Sequence, residues 1–345
     1  MNRFRLLFLF FSITCLLFSL AHHPASHAAQ IPVLTATAKQ KPAATVRSAG
    51  KAASATSSQI ITLGRRGNIK TVKTRPGRTS GNYLPSIRKK ISARSAIVID
   101  ARTGDTIFAK NADRPRQPAS TIKILTGMIA LKSLKERDPI KVSQRASRMP
   151  RSKIYLDPRK TYQASDLIDA VLLASANDAS VALAENIAGS EKEFAEMMTL
   201  RARLWGAKNT VCRTATGLTA RGQQSTARDL AQLFRHVMQD KEFAQRINRV
   251  KVRTSFGQVL RNHNKALWQI EGAVGGKTGY TNAARQTYVG MFTRGSDSIV
   301  VAIMGSETMW DDLKRLVEYG FKRKQQIQLV RAETEKKQKK ETTLN

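Results

Sequence analysis

Gln117-Pro118-Ala119-Ser120-Thr121-Ile122-Lys123-Ile124-Leu125-Thr126-Gly127-Met128-Ile129-Ala130 is the stretch on which the reading of this chain turns. From Ile122 onward its apolar residues, continued by Leu131 and Leu134, cover nearly every side of a helix, which predicts a buried one. Ser120 and Lys123 stand at i and i+3 at its amino end, so both side chains fall on one face. A serine hydroxyl is a weak nucleophile at neutral pH and needs a base. Lysine can serve once burial and nearby positive charge push its ammonium towards the neutral form. Taken alone, Ser120 reads equally well as a helix cap.

The spacing S-x-x-K is cheap, and the chain itself offers decoys. Ser48–Lys51 and Ser86–Lys89 match it, and Ser80-Gly81-Asn82 matches S-x-N, but all lie where no hydrophobic periodicity holds side chains in register. Two later strings separate Ser120 from the decoys. Ser175-Ala176-Asn177 sits between two helical patterns, Leu167–Leu173 and Ala179–Ala184, as a turn or a helix start. Its polar residues are caps in one reading; in the other they are a proton carrier and a clamp on a substrate backbone. Lys277-Thr278-Gly279 follows Ala273-Val274-Gly275-Gly276 and precedes Tyr280, a β-prone segment stripped of side chains where another backbone could lie. Charge on Lys277 and the hydroxyl of Thr278 suit a terminal carboxylate. The alternative is a plain glycine-rich turn; a phosphate loop is excluded because G-x-x-x-x-G-K-[ST] is missing.

In this order the three strings resemble the motif set of penicillin-binding proteins and serine β-lactamases. From about Arg94 to Lys322 the chain resembles the D-alanyl-D-alanine carboxypeptidases of serine peptidase family S11, the low-molecular-mass penicillin-binding proteins. Further matching stretches are Ala174–Ala179, Ser225-Thr226-Ala227-Arg228-Asp229-Leu230, Asn262-His263-Asn264 and Gly276–Thr281. The resemblance implies an α+β, β-lactamase/penicillin-binding-protein (serine transpeptidase-like) fold: an antiparallel sheet flanked by helices plus a helical subdomain. It implies Ser120 as nucleophile, Lys123 as base and Ser175 as proton relay, all catalytic. Asn177, Lys277, Thr278, Gly279 and Tyr280 would bind substrate, and the N–H groups of Ser120 and Tyr280 would form the oxyanion hole. Expected partners are peptidoglycan stem peptides, with β-lactams as covalent inhibitors. No cofactor or metal is expected.

Three departures bear on the transfer. His263 stands where relatives often carry arginine, Arg285 adds a charge near the Lys277 strand, and the chain ends soon after Tyr319-Gly320-Phe321. That last feature predicts a chain without the extra β-domain and amphipathic anchor of larger carboxypeptidases, and resembles the D,D-endopeptidase branch, which cuts cross-links. Ala176 and the missing deacylating glutamate motif argue against a class A β-lactamase. A non-catalytic wall-binding protein on the same scaffold is the contrasting reading.

Composition sets the expected compartment. Arg3 and Arg5, the apolar run Leu6–Leu20 and the small-x-small site Ser26-His27-Ala28 read as a signal peptide over 1–28, and so as export to the periplasm or cell envelope. The apolar run is short for a membrane span, though it could serve as an anchor if uncleaved. Residues 29–90 read as a basic disordered linker, 91–322 as the catalytic domain and 323–345 as a basic disordered tail. The net charge of +34 favours polyanions, for an exported protein anionic envelope polymers or lipid head groups, with no nucleic acid expected. Without the leader only Cys212 remains, which excludes an intrachain disulfide. A hairpin (Ala96–Asp100, Thr106–Lys110), central helices, three late strands and a closing helix near Asp311–Phe321 predict one sheet built from both ends of the domain.

Overall fold

The computed structural model describes residues 87–343. The expected leader over 1–28 and nearly all of the expected linker over 29–90 lie outside the described residues. In chain order the first elements are β1 (Ser95–Asp100), β2 (Thr106–Lys110), a 3₁₀ turn (Ala119–Ile122), α1 (Lys123–Ser133), β3 (Pro139–Lys141) and α2 (Gln144–Ser147). Then come β4 (Thr161–Gln163), α3 (Ala164–Leu172), α4 (Asn177–Ala188), α5 (Glu191–Leu204), α6 (Ala227–Val237) and α7 (Lys241–Asn248). The last are β5 (Lys251–Arg253), β6 (Val259–Arg261), α8 (Ala266–Gln269), β7 (Ala273–Thr281), β8 (Arg285–Arg294), β9 (Asp297–Ser306) and α9 (Met309–Thr343).

Five strands form one antiparallel sheet in the order β2-β1-β9-β8-β7. The two ends of the domain therefore meet at its centre, where Val98 pairs with Val301. Strand side chains alternate between faces, and both faces here are covered. From β9, Val300, Ala302 and Met304 enter a core shared with α1, α3, α4 and α6, while Ile299, Val301 and Ile303 face α9. Because both faces are buried, these strands read as nearly continuous apolar runs without a polar alternation. Strand β7 is left at one edge.

Two boundaries differ from the sequence reading. Packing is already present inside the expected linker, because Ile87 is buried against the α9 core with Ile91 and Arg88 donates to Ala109 O at 2.7 Å. At the other end, the stretch expected as a disordered tail from 323 is helical through Thr343. After Phe321 there is no proline or glycine, and Lys, Gln, Glu and Arg are good helix formers. Ion pairs hold the extension to the sheet: Lys324 Nζ lies 2.9 Å from Asp100 and 3.0 Å from Asp297, and Arg331 lies 3.3 Å from Asp105.

Candidate active site

Ser120 sits in the 3₁₀ turn that leads into α1, two residues before the Ile122 N-cap, so it does not cap the helix. Ala119 before it has φ +50, a left-handed conformation costly for a residue with a Cβ. The turn is held in place by Thr121 Oγ1 and Thr287 Oγ1, which both donate to Pro118 O, at 2.6 and 2.9 Å. Strained backbone of this kind persists only where its surroundings over-determine it.

Lys123 Nζ stands 2.9 Å from Ser120 Oγ, 2.7 Å from Asn177 Oδ1 and 2.6 Å from the carbonyl of Thr216. Its side chain is 0% exposed. Burial lowers its pKa far below the usual lysine value, and the charge of Lys277 lowers it further; Asp178 and Glu191 act the other way. Neither acid pairs with it. Asp178 accepts from the N–H groups of Ile154, Leu156 and Ala179, and Glu191 accepts from Ala215 N–H and Arg145. The result is an amine driven towards the neutral form beside an alcohol it can deprotonate.

Ser175, in the turn between α3 and α4, also adopts a left-handed backbone, φ +58. Its hydroxyl accepts from Lys277 Nζ at 2.9 Å. Lys277 is 1% exposed, and burial lowers its pKa to about 7. Thr278 follows on β7, half-buried, and Tyr280 is exposed at the edge. Gly279 shows why no side chain is possible between them. A Cβ there would lie 2.7 Å from Ser120 N and 2.6 Å from Thr287 Oγ1, so β7 runs directly against the Ser120 turn. Ser120, Lys123 and Asn177 thus form one hydrogen-bonded group and Ser175 and Lys277 a second, close enough for the Lys277 charge to act on Lys123, with Gly279 packed against the Ser120 turn and Thr278 and Tyr280 beside it on β7.

Asn177 departs from the expectation. It was read as a clamp on a substrate backbone, but it is 2% exposed and its amide is used internally. Oδ1 accepts from Lys123, while Nδ2 donates to the carbonyls of Pro150 and Arg151 at 2.9 and 3.1 Å. The group orients the lysine and pins the loop after α2.

Other participants leave no signal in the sequence strings. Thr216 contributes only a carbonyl, so its side chain announces nothing; Gly217, φ +77, lets that carbonyl approach, since a Cβ would lie 2.0 Å from Ala119 O. Asn262 and Asn264 are structural. Asn262 Nδ2 donates to Ile247 O and Arg249 O, and the two residues close a turn that carries His263 outward. Desolvation, then the charges of Lys277 and Lys123, hold His263 below its ordinary pKa. In the Ser225–Leu230 string, Thr226 caps α6 and Asp229 accepts from Asn209 N–H and Thr210 Oγ1. Arg285 lies against Glu307, away from the lysines. Among the described residues no group of His, Cys, Asp and Glu is arranged to hold a metal ion.

Residues 83–308 match the family model described as Peptidase_S11, D-alanyl-D-alanine carboxypeptidase. The D-alanyl-D-alanine carboxypeptidase DacB2 of Mycobacterium tuberculosis is 34% identical over 240 residues, covering 66% of this chain and 82% of that protein. DacA of Escherichia coli is 34% identical over 248 residues; the chain spans 62% of its length. A crystal structure of a D-alanyl-D-alanine carboxypeptidase from M. tuberculosis superposes with a TM-score of 0.65 at 31% identity, over 70% of this chain and 94% of the other. Penicillin-binding protein D2 of Listeria monocytogenes, solved in its ampicillin-bound form, gives a TM-score of 0.62 at 27% identity, over 67% of this chain and 98% of that one.

Proposed function

Because the chain belongs to the D-alanyl-D-alanine carboxypeptidase family S11, we propose that it hydrolyses D-Ala-D-Ala bonds of peptidoglycan stem peptides through an acyl-Ser120 intermediate. The observation that carries this reading is the 2.9 Å contact between Ser120 Oγ and a fully buried Lys123 amine. Lys123 takes the hydroxyl proton as Ser120 Oγ attacks the carbonyl of the penultimate D-alanine. The N–H groups of Ser120 and Tyr280 receive the oxyanion, and β7, at the sheet edge, receives the substrate backbone as an added strand. Ser175, hydrogen-bonded to Lys277, passes a proton to the departing amine. The terminal carboxylate is drawn by Lys277 and bonded by Thr278. D-Alanine leaves, and water then cleaves the ester and regenerates the hydroxyl. Asn177 acts as a positioning residue that keeps the lysine aimed.

β-Lactams acylate the same hydroxyl in this reading, which is supported by the likeness to an ampicillin-bound relative. The enzyme works in the cell envelope. Its export rests on the leader read in residues 1–28; among the described residues no helix is long and apolar enough to cross a membrane. The +34 net charge supports electrostatic retention near anionic envelope polymers or head groups.

Release of D-alanine from a D-Ala-D-Ala peptide tests the proposal. Wild type should release it and Ser120→Ala should not. A wild-type protein that binds cell wall but frees no D-alanine would favour the scaffold reading instead.

A further inference from the structure

Beside the catalytic group a recess of about 430 Å³ opens between the loop after α2, the end of α3 and strand β6. Arg151, Lys153, Arg261 and His263 line it, with Ala174 and Gln258 at its wall, and no acid does. Among the described residues neither Arg151 nor Arg261 makes an ion pair or a side-chain hydrogen bond. Lys153 donates only to Ser147 O and covers the ring of Tyr155. Asp178, which accepts from the N–H of the lining residue Ile154 and from Leu156 N–H, is 0% exposed. A cavity with guanidinium groups and no counter-ion is matched to an anion, and guanidinium forks match carboxylates best.

Position says which half of the substrate would reach it. Ala174 adjoins Ser175, and His263 N–H donates to Leu173 O at the same end of α3. The recess therefore opens on the side of Ser175, the group that hands a proton to the departing nitrogen. We propose that it is a leaving-group subsite for a residue carrying a second carboxylate, so that the enzyme prefers an acidic D-amino acid or an acidic peptide as leaving group over D-alanine alone. This rests on the D,D-peptidase reading above and deepens it, from trimming of ends towards release of a larger anionic fragment.

The test uses the full chain and two peptides with the same acyl half ending in D-alanine, differing only in the leaving residue, D-alanine or D-glutamate. Wild type should show a higher kcat/KM for D-glutamate release. Arg261→Gln should lower the ratio of the two values by about tenfold, the size of one charge-assisted contact. In wild type the ratio should also fall as potassium chloride rises, because the attraction is screened; this second readout does not depend on the folding of a variant. Release of D-alanine with no preference, or a ratio indifferent to Arg261→Gln and to salt, overturns the subsite and leaves the peptidase reading standing. A preference seen only when the acidic group is on the acyl half overturns the leaving-side assignment. Release of neither amino acid overturns the underlying reading.

Discussion

Lys277 Nζ lies 2.9 Å from Ser175 Oγ, the same separation that Lys123 Nζ keeps from Ser120 Oγ. The site is thus two serine–lysine pairs, each lysine buried, with the charge of Lys277 lowering the Lys123 pKa further. In the proposed mechanism one pair starts acylation and the other protonates the departing amine, an arrangement with consequences in pH, stability and rate.

The first consequence concerns pH and stability. Lys277 falls to about 7 in the folded chain against 10.5 in a free lysine. Between those values the unfolded state binds more protons, so stability must rise with pH across that window; below about 7 the destabilisation is fully present. Lys123 shifts in the same direction. Thermal unfolding followed from pH 7 to 9.5 should show a rising component that Lys277→Met reduces. Equal pH slopes in both proteins would remove the buried, depressed lysine from the account.

Asn177→Ala removes the amide that holds Lys123 and leaves the Pro150 and Arg151 carbonyls unpaired. Stability should fall by about 1 to 3 kcal/mol, the cost of buried unsatisfied groups. Acylation by fluorescent penicillin should slow by roughly 10², because a base left loose loses most of its effect. A variant that acylates at the wild-type rate would return Asn177 to a purely structural role.

Gly279→Ala places a methyl against Ser120 N and Thr287 Oγ1. The edge strand must move out, taking the Tyr280 N–H away from the Ser120 N–H. The loss should fall on kcat, by about 10² or more as for a missing oxyanion donor, with the folded state retained. Unchanged kcat in a folded variant would place the oxyanion hole elsewhere.

Arg246 is 2% exposed and bridges Asp169 at 3.0 Å and Glu242 at 2.8 Å, tying α7 to α3, the helix that precedes the Ser175 turn. Burial raises the Asp169 pKa even with Arg246 and Arg249 beside it. Arg246→Ala leaves that carboxylate short of a partner and should cost about 3 to 5 kcal/mol in chemical denaturation. A loss under 1 kcal/mol would show that Arg249 alone satisfies Asp169.

What the sequence disclosed follows from where the chemistry is encoded. Ser120, Lys123, Ser175 and Lys277 are recognisable because each sits in a short string whose spacing fixes its geometry, and β1, β8 and β9 because burial on both faces makes them apolar runs. Asn177 was legible as a site residue but not in its orientation, which depends on Lys123 and on the Pro150 loop, far away in the chain. The Thr216 carbonyl carries no side-chain signal at all. Arg246 and Asp169 look like ordinary surface charges until folding brings α3 and α7 together. The end of α9 was misread because solubilising residues that suggest disorder are also good helix formers, and ion pairs from Lys324 and Arg331 to the sheet turns are invisible in a local reading.

The most direct test is the rate at which benzylpenicillin adds to Ser120, followed by intact-protein mass and peptide mapping in wild type and Lys123→Ala at neutral pH. The account predicts one acyl group on Ser120 in wild type, formed at least about 10² times more slowly in the variant. Acylation of Lys123→Ala at the wild-type rate, or an adduct on any other residue, would contradict it.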